Sequence, residues 1–160
     1  MNGTRPERRS DMAMAFLRVF MGLIFLTTWA SNLSKGLYSD GFAPFIQEWA
    51  DGTSITFYGD FLKSVVIPNA DLFRYFQVVT EFLIMGVFLI VGFLTPVSAL
   101  VAGGFSLNLL LASYSTGEWP GTYLIMLAVL AAVGVTRAGR TLGVDTILAR
   151  RSPHRKLPLY

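Results

Sequence analysis

The sequence predicts an all-α integral membrane protein: a four-helix bundle with a short amphipathic helix in a long outer loop. Composition is the first ground. Of 160 residues, 53% are hydrophobic and 14% charged, and mean hydropathy is +0.54; a soluble domain of this size needs many more charges to cover its surface. Distribution is the second, because the charges gather in two tails and one loop. The third is four apolar stretches, at about 13–32, 72–92, 96–115 and 121–136, each near the roughly 17–25 residues that cross a bilayer core.

Residues 1–12 form a basic tail ahead of the first stretch. That stretch is longer than a signal-peptide core and lacks a small-x-small cleavage site, so it reads as an uncleaved anchor. The loop at 35–71 contains "GFAPFIQEWADG", where Phe42, Phe45, Ile46 and Trp49 fall at i, i+3, i+4 and i+7 with Pro44 near the start. This spacing predicts an amphipathic helix, serving either as an interfacial anchor or as a cover over a binding site. "GFLTP" makes the turn between the second and third stretches, and "STGEWPG" the turn between the third and fourth. Residues 137–160 form a second basic tail.

Arginine and lysine set the orientation. Arg5, Arg8 and Arg9 lie in one tail; Arg137, Arg140, Arg150, Arg151, Arg155 and Lys156 lie in the other. The 35–71 loop is acidic on balance. Both termini are therefore expected in the cytoplasm and the protein in the inner (plasma) membrane. Two cytoplasmic tails require an even number of spans, in agreement with four. The net charge of +3, carried by the tails, points to anionic lipid headgroups and not to nucleic acid.

There is no cysteine, and the single histidine, His154, is in a tail. Thiolate metal sites, iron–sulfur clusters, thiol redox chemistry and a bis-histidine haem are excluded for this chain alone. No metal site is expected.

Chemistry is sought instead in polar groups within the apolar stretches, which are costly there and face protein, water or a partner. Glu81 is the foremost. Counted at 1.5 Å per residue from Leu72, it falls about 13 Å below the outer boundary, close to the midplane. Arg74, Gln77 and Glu81 share one helix face. Asn108, counted from Pro96, reaches a similar depth, about 12 Å below the outer boundary. Thr27, Thr28, Thr122 and Tyr123 also fall in the outer half. Arg18 lies about 7 Å in from the cytoplasmic side, placed either to snorkel to headgroups or to pair with Glu81 if the helices tilt. Glu81 itself fits two roles: structural hydrogen bonding between helices, or a hydrogen-bonding and proton-accepting group in a site for an amphiphile such as a quinol. Asn108 alone is more often helix–helix glue than a ligand group.

The order "FLRVFMGLIFLTTWASNLSKG", a long outer loop, "TEFLIMGVFLIVGFLTPVSALVAGGFSLNLLLAS" and "GTYLIMLAVLAAVGVTRAGRTLGVDTILARR" resembles the DoxX family and its DoxD branch over roughly residues 13–151. Its most specific parts are Arg18 with Gly22, Glu81 with "GFLTP", and "RAGRTLGVD" ending at Asp145. The resemblance implies a four-helix membrane protein acting beside redox enzymes; the DoxD branch is a membrane subunit of a thiosulfate:quinone oxidoreductase. It also implies Glu81 and Arg18 as recurring polar positions. This chain has Thr122 where relatives often carry an acidic residue after a glycine, and "WASN" where they often show His-Gly. The expected function is a small subunit of a respiratory or redox assembly that binds quinone through Glu81, Gln77, Asn108, Thr27 and Tyr123. No covalent cofactor is expected, and the partners are a membrane redox protein and lipid. The alternative is a purely structural subunit without ligand chemistry. A solute transporter fits less well, since no broken helix or inverted repeat is visible.

Overall fold

In a computed structural model of the protein, residues 5–114 and 118–151 are described, with side chains from residue 8 onward. The ends of both tails, including His154, Arg155 and Lys156, and part of the "STGEWPG" turn lie outside the described residues. Among the described residues all the regular structure is helical, with no strand. Helix α1 spans Arg5–Ser34 and α2 Phe42–Gly52. Helix α3 runs Thr56–Val91, followed by α4 at Thr95–Ser113, α5 at Gly121–Val135 and α6 at Val144–Arg151. Three of them, α1, α3 and α4, are long and apolar enough to cross a membrane, and α5 is a shorter apolar helix. The predicted amphipathic helix is α2, and residues 5–12 of the basic tail are already part of α1.

One difference from the sequence reading is large. The helix that carries the second apolar stretch begins well before Leu72: α3 begins at Thr56 and continues through Pro68. A proline inside a helix removes one backbone donor and crowds the preceding turn. Here the strain is absorbed by a π-helical segment at Leu62–Val66 and a 3₁₀ turn at Ile67–Asn69. The Asn69 backbone departs to φ −116°, ψ 31°, and its side-chain amide donates to the Val65 carbonyl at 2.8 Å, where a backbone N–H would otherwise serve. The helix bends without ending. At 36 residues it is about 54 Å long, well beyond one bilayer core.

The bend divides the packing into two clusters. Met21, Phe25, Met85, Leu89, Leu130 and Val133 form the core of α1, α3, α4 and α5. Phe42, Ile46, Tyr58, Leu62 and Val66 form a second core between α2 and the first arm of α3, closed by Ala112 of α4. Large apolar side chains such as Phe16, Leu100, Ile125 and Val135 are exposed, the surface a bilayer would cover.

Helices α1 and α3 approach closely because Gly86 has no side chain: a Cβ there would strike Leu26. This contact sets the register that positions the site. Trp29 packs on Phe82 with ring centroids 4.8 Å apart and the planes tilted by 46°, so the last turns of α1 stand level with Glu81.

Candidate functional site

Beyond Ser34 the chain turns back over the end of the bundle, held by Gly36 N–H to Leu33 and Ser39 N–H to Gly36 bonds. This turn delivers Tyr38 to Glu81. The Tyr38 hydroxyl donates to Glu81 Oε2 at 2.5 Å, Asn32 Nδ2 donates to the same hydroxyl at 3.3 Å, and Gln77 Nε2 reaches Oε2 at 3.5 Å. Glu81 is fully buried, and its Oε1 has no hydrogen-bond partner. Burial and the adjacent carboxylate push the Tyr38 phenol above its ordinary range, with Asn32 and Gln77 opposing. Glu81 thus sits against the final turns of α1 and the α1–α2 connection. The count from Leu72 has no fixed origin, because α3 is longer than one span.

Glu81 lies in the first turn of a second π-helical segment, Thr80–Phe88. The Thr80 hydroxyl bonds back to its own helix, donating to the carbonyls of Phe76 at 2.7 Å and Gln77 at 3.2 Å.

Beside this cluster lies a cavity of about 380 Å³ between α2, the bend of α3 and α4. Its wall is mainly apolar and rich in aromatic rings, with Phe42, Phe61, Phe73, Phe76 and Phe105, and its polar members include Gln77, Thr80, Tyr58 and Asn108. The Tyr58 hydroxyl donates to Asn108 Oδ1 at 2.9 Å. Helix α2 contributes Phe42 and Ile46 to the wall and so covers the cavity.

Of the predicted site residues, Gln77 and Asn108 meet at this cavity, and Glu81 stands behind Gln77 outside its lining. Arg74 turns aside, donating to Asp71 at 2.9 Å and to the Tyr38 carbonyl at 3.4 Å. Thr27 is elsewhere: its exposed hydroxyl bonds back to Leu23 and Ile24 of its own helix. Tyr123 is also elsewhere, donating to Glu118 at 2.8 Å.

Arg18 neither snorkels nor pairs with Glu81. It is buried and its guanidinium donates to the carbonyls of Ala138 at 2.9 Å, Thr141 and Leu142 at 3.3 Å, and Ile90 at 3.4 Å. Beside it, buried Asp145 accepts the backbone N–H groups of Leu94 and Thr95 at 2.8 and 2.9 Å. It thereby caps α4, not its own helix, while its own N–H donates to the Gly92 carbonyl. The motif residues Arg18, "GFLTP" and "RAGRTLGVD" therefore form one closed knot at the end of the bundle opposite Tyr38.

A family model described as "TQO small subunit DoxD" matches residues 14–158. The chain belongs to the DoxD family. Neither a curated protein nor a solved structure matches it. Within this DoxD-family chain, sequence reasoning missed Tyr38, Asn32 and Tyr58. The first two flank a Ser-Lys-Gly turn signal, "SNLSKGLY", which could have suggested a chain reversal carrying both toward the helix mouth. Tyr58 gave no signal, since its role depends on α3 continuing through Pro68.

Proposed function

We propose that the protein is a small membrane subunit of a redox assembly and that its aromatic cavity binds the ring of a quinone or quinol. The observation that carries this reading is the meeting of Gln77 and Asn108, from different helices, on one aromatic cavity with a buried carboxyl directly behind it. A volume of about 380 Å³ lies within the range of small-molecule sites, roughly 300–1,000 Å³, whose walls are apolar with a few placed polar groups. The amides of Gln77 and Asn108 supply donors and acceptors for ring oxygens. Glu81, 3.5 Å from the Gln77 amide, orients that amide and offers a place for a proton. A bound quinone would supply the two-electron carrier chemistry that the chain's own side chains lack. We further assign α5 as the fourth span and both tails to the cytoplasm, on the Lys/Arg distribution.

The test is the quinone content of detergent-purified protein, by solvent extraction and chromatography, for wild type, Asn108→Leu and Glu81→Gln. Near-stoichiometric quinone in wild type, lost in Asn108→Leu and reduced in Glu81→Gln, supports binding. Equal traces in all three sink it.

One observation favours a second reading, a purely structural subunit. Asn108 and Glu81 each already have an internal partner, in Tyr58 and Tyr38. On that reading Glu81→Gln changes which proteins co-purify and leaves the quinone content unaltered.

A further inference from the structure

At the Arg18 end, an open groove of about 860 Å³ runs between the start of α1, the end of α3 and the segment leading into α6. Three guanidiniums line it, Arg8, Arg140 and Arg150, against one carboxylate, Asp11. They come from three separate stretches of chain. Among the described residues, neither Arg8 nor Arg150 has an ion-pair partner within 4.0 Å. The rim is apolar: Leu142 is 77% exposed and Ile147 is 52% exposed.

Leu142 also has a left-handed backbone, φ 54°, a conformation disfavoured for a side chain with a Cβ and retained only where the surroundings enforce it. The enforcing group is Arg18, which binds the carbonyls of Thr141 and Leu142 from within. Strained backbone thus holds an apolar side chain outward at the edge of a basic groove. The groove opens where the apolar faces of α1 and α3 end, the zone where phosphate headgroups lie.

We propose that this groove is a binding site for an anionic phospholipid headgroup. Arg8, Arg140 and Arg150 meet the phosphate, and Leu142 and Ile147 lie against the first acyl methylenes. The site is independent of any quinone at the opposite end.

Native mass spectrometry of the full chain in mild detergent, titrated with phosphatidylglycerol and phosphatidylcholine of equal chain length, tests it. Phosphatidylglycerol is expected to bind at least about ten-fold more tightly, and Arg8→Gln with Arg150→Gln to weaken it about five-fold per arginine. Lys63→Gln, at the far end, leaves the selectivity intact. Leu142→Gly keeps the backbone shape that glycine adopts freely, and is expected to abolish the preference for long-chain over short-chain phosphatidylglycerol; it serves as the test if the double arginine variant does not fold. Equal binding of the two lipids, unchanged selectivity in the double variant, an unchanged chain-length preference in Leu142→Gly, or equal displacement by inorganic phosphate overturns the proposal.

Discussion

At the Arg18 end, buried charge is bonded to backbone: Arg18 to four carbonyls and Asp145 to two N–H groups. At the Tyr38 end, Glu81 and Asn108 are met by side chains, from Tyr38, Gln77 and Tyr58. Backbone partners are fixed by the fold and cannot swing aside, so the first arrangement locks α1, the α3–α4 turn and the α6 approach into one shape. Side-chain partners can rotate, so the second can exchange an internal partner for a ligand at small cost. The end with rotatable partners is also the end with the cavity.

The largest effect expected from this contrast is at Asp145. Asp145→Ala removes two charge-assisted bonds at the start of α4 and leaves buried N–H groups unmet, a loss of about 3 kcal/mol or more. Glu81→Gln retains an acceptor for Tyr38 and is expected to cost about 1 kcal/mol. Thermal unfolding in detergent compares them directly. Equal losses would erase the distinction between the two ends.

Gly92→Ala comes next. Gly92 has φ 69°, and a Cβ would collide with the Arg18 guanidinium. The strain and the displaced arginine together are expected to cost about 1–3 kcal/mol. If the knot is rigid, the loss shows as a lowered unfolding midpoint with quinone content unchanged. Altered quinone content in this variant would mean that the two ends communicate.

Smaller still is Tyr58→Phe, which removes one hydrogen bond to Asn108 and is expected to cost about 1 kcal/mol. Its value is in sharpening the comparison. If Tyr58 merely satisfies Asn108 until a ligand does, the variant binds quinone at least as well as wild type, measured by extraction. Loss of quinone would make Tyr58 part of the site.

How far these features can be read from sequence differs between the ends. The all-α class, the amphipathic α2 and the polar character of Gln77, Glu81 and Asn108 follow from hydropathy and spacing, because each depends on local pattern. The starting point of α3 does not, because Pro68 is the usual stop signal, yet the π-helical and 3₁₀ turns around it carry the helix through. The pairing of Tyr38 with Glu81 spans 43 residues, and the capping of α4 by Asp145 spans 50; no local pattern announces either. Arg18 illustrates the same limit: its charge was legible, but three of its four carbonyl partners come from a loop more than 100 residues away.

The smallest expected effect is a pH dependence carried by Tyr38. Its phenol is raised above the ordinary value of about 10 by burial, then by its bond to Glu81. A folded state that holds the proton more tightly than the unfolded chain keeps its full advantage below about pH 10 and loses it as pH rises beyond that value. By pH 10.5 the loss is under about 1 kcal/mol. Unfolding midpoints in detergent, followed from pH 8 to about pH 10.5, should fall less steeply for Tyr38→Phe than for wild type, because the substitution removes this proton from the balance. Parallel slopes would mean that the Tyr38 hydroxyl ionises as freely folded as unfolded. The cover over Glu81 would then be open to water, and the contrast between a closed knot and a partnered but adaptable mouth would become one between closed and open ends.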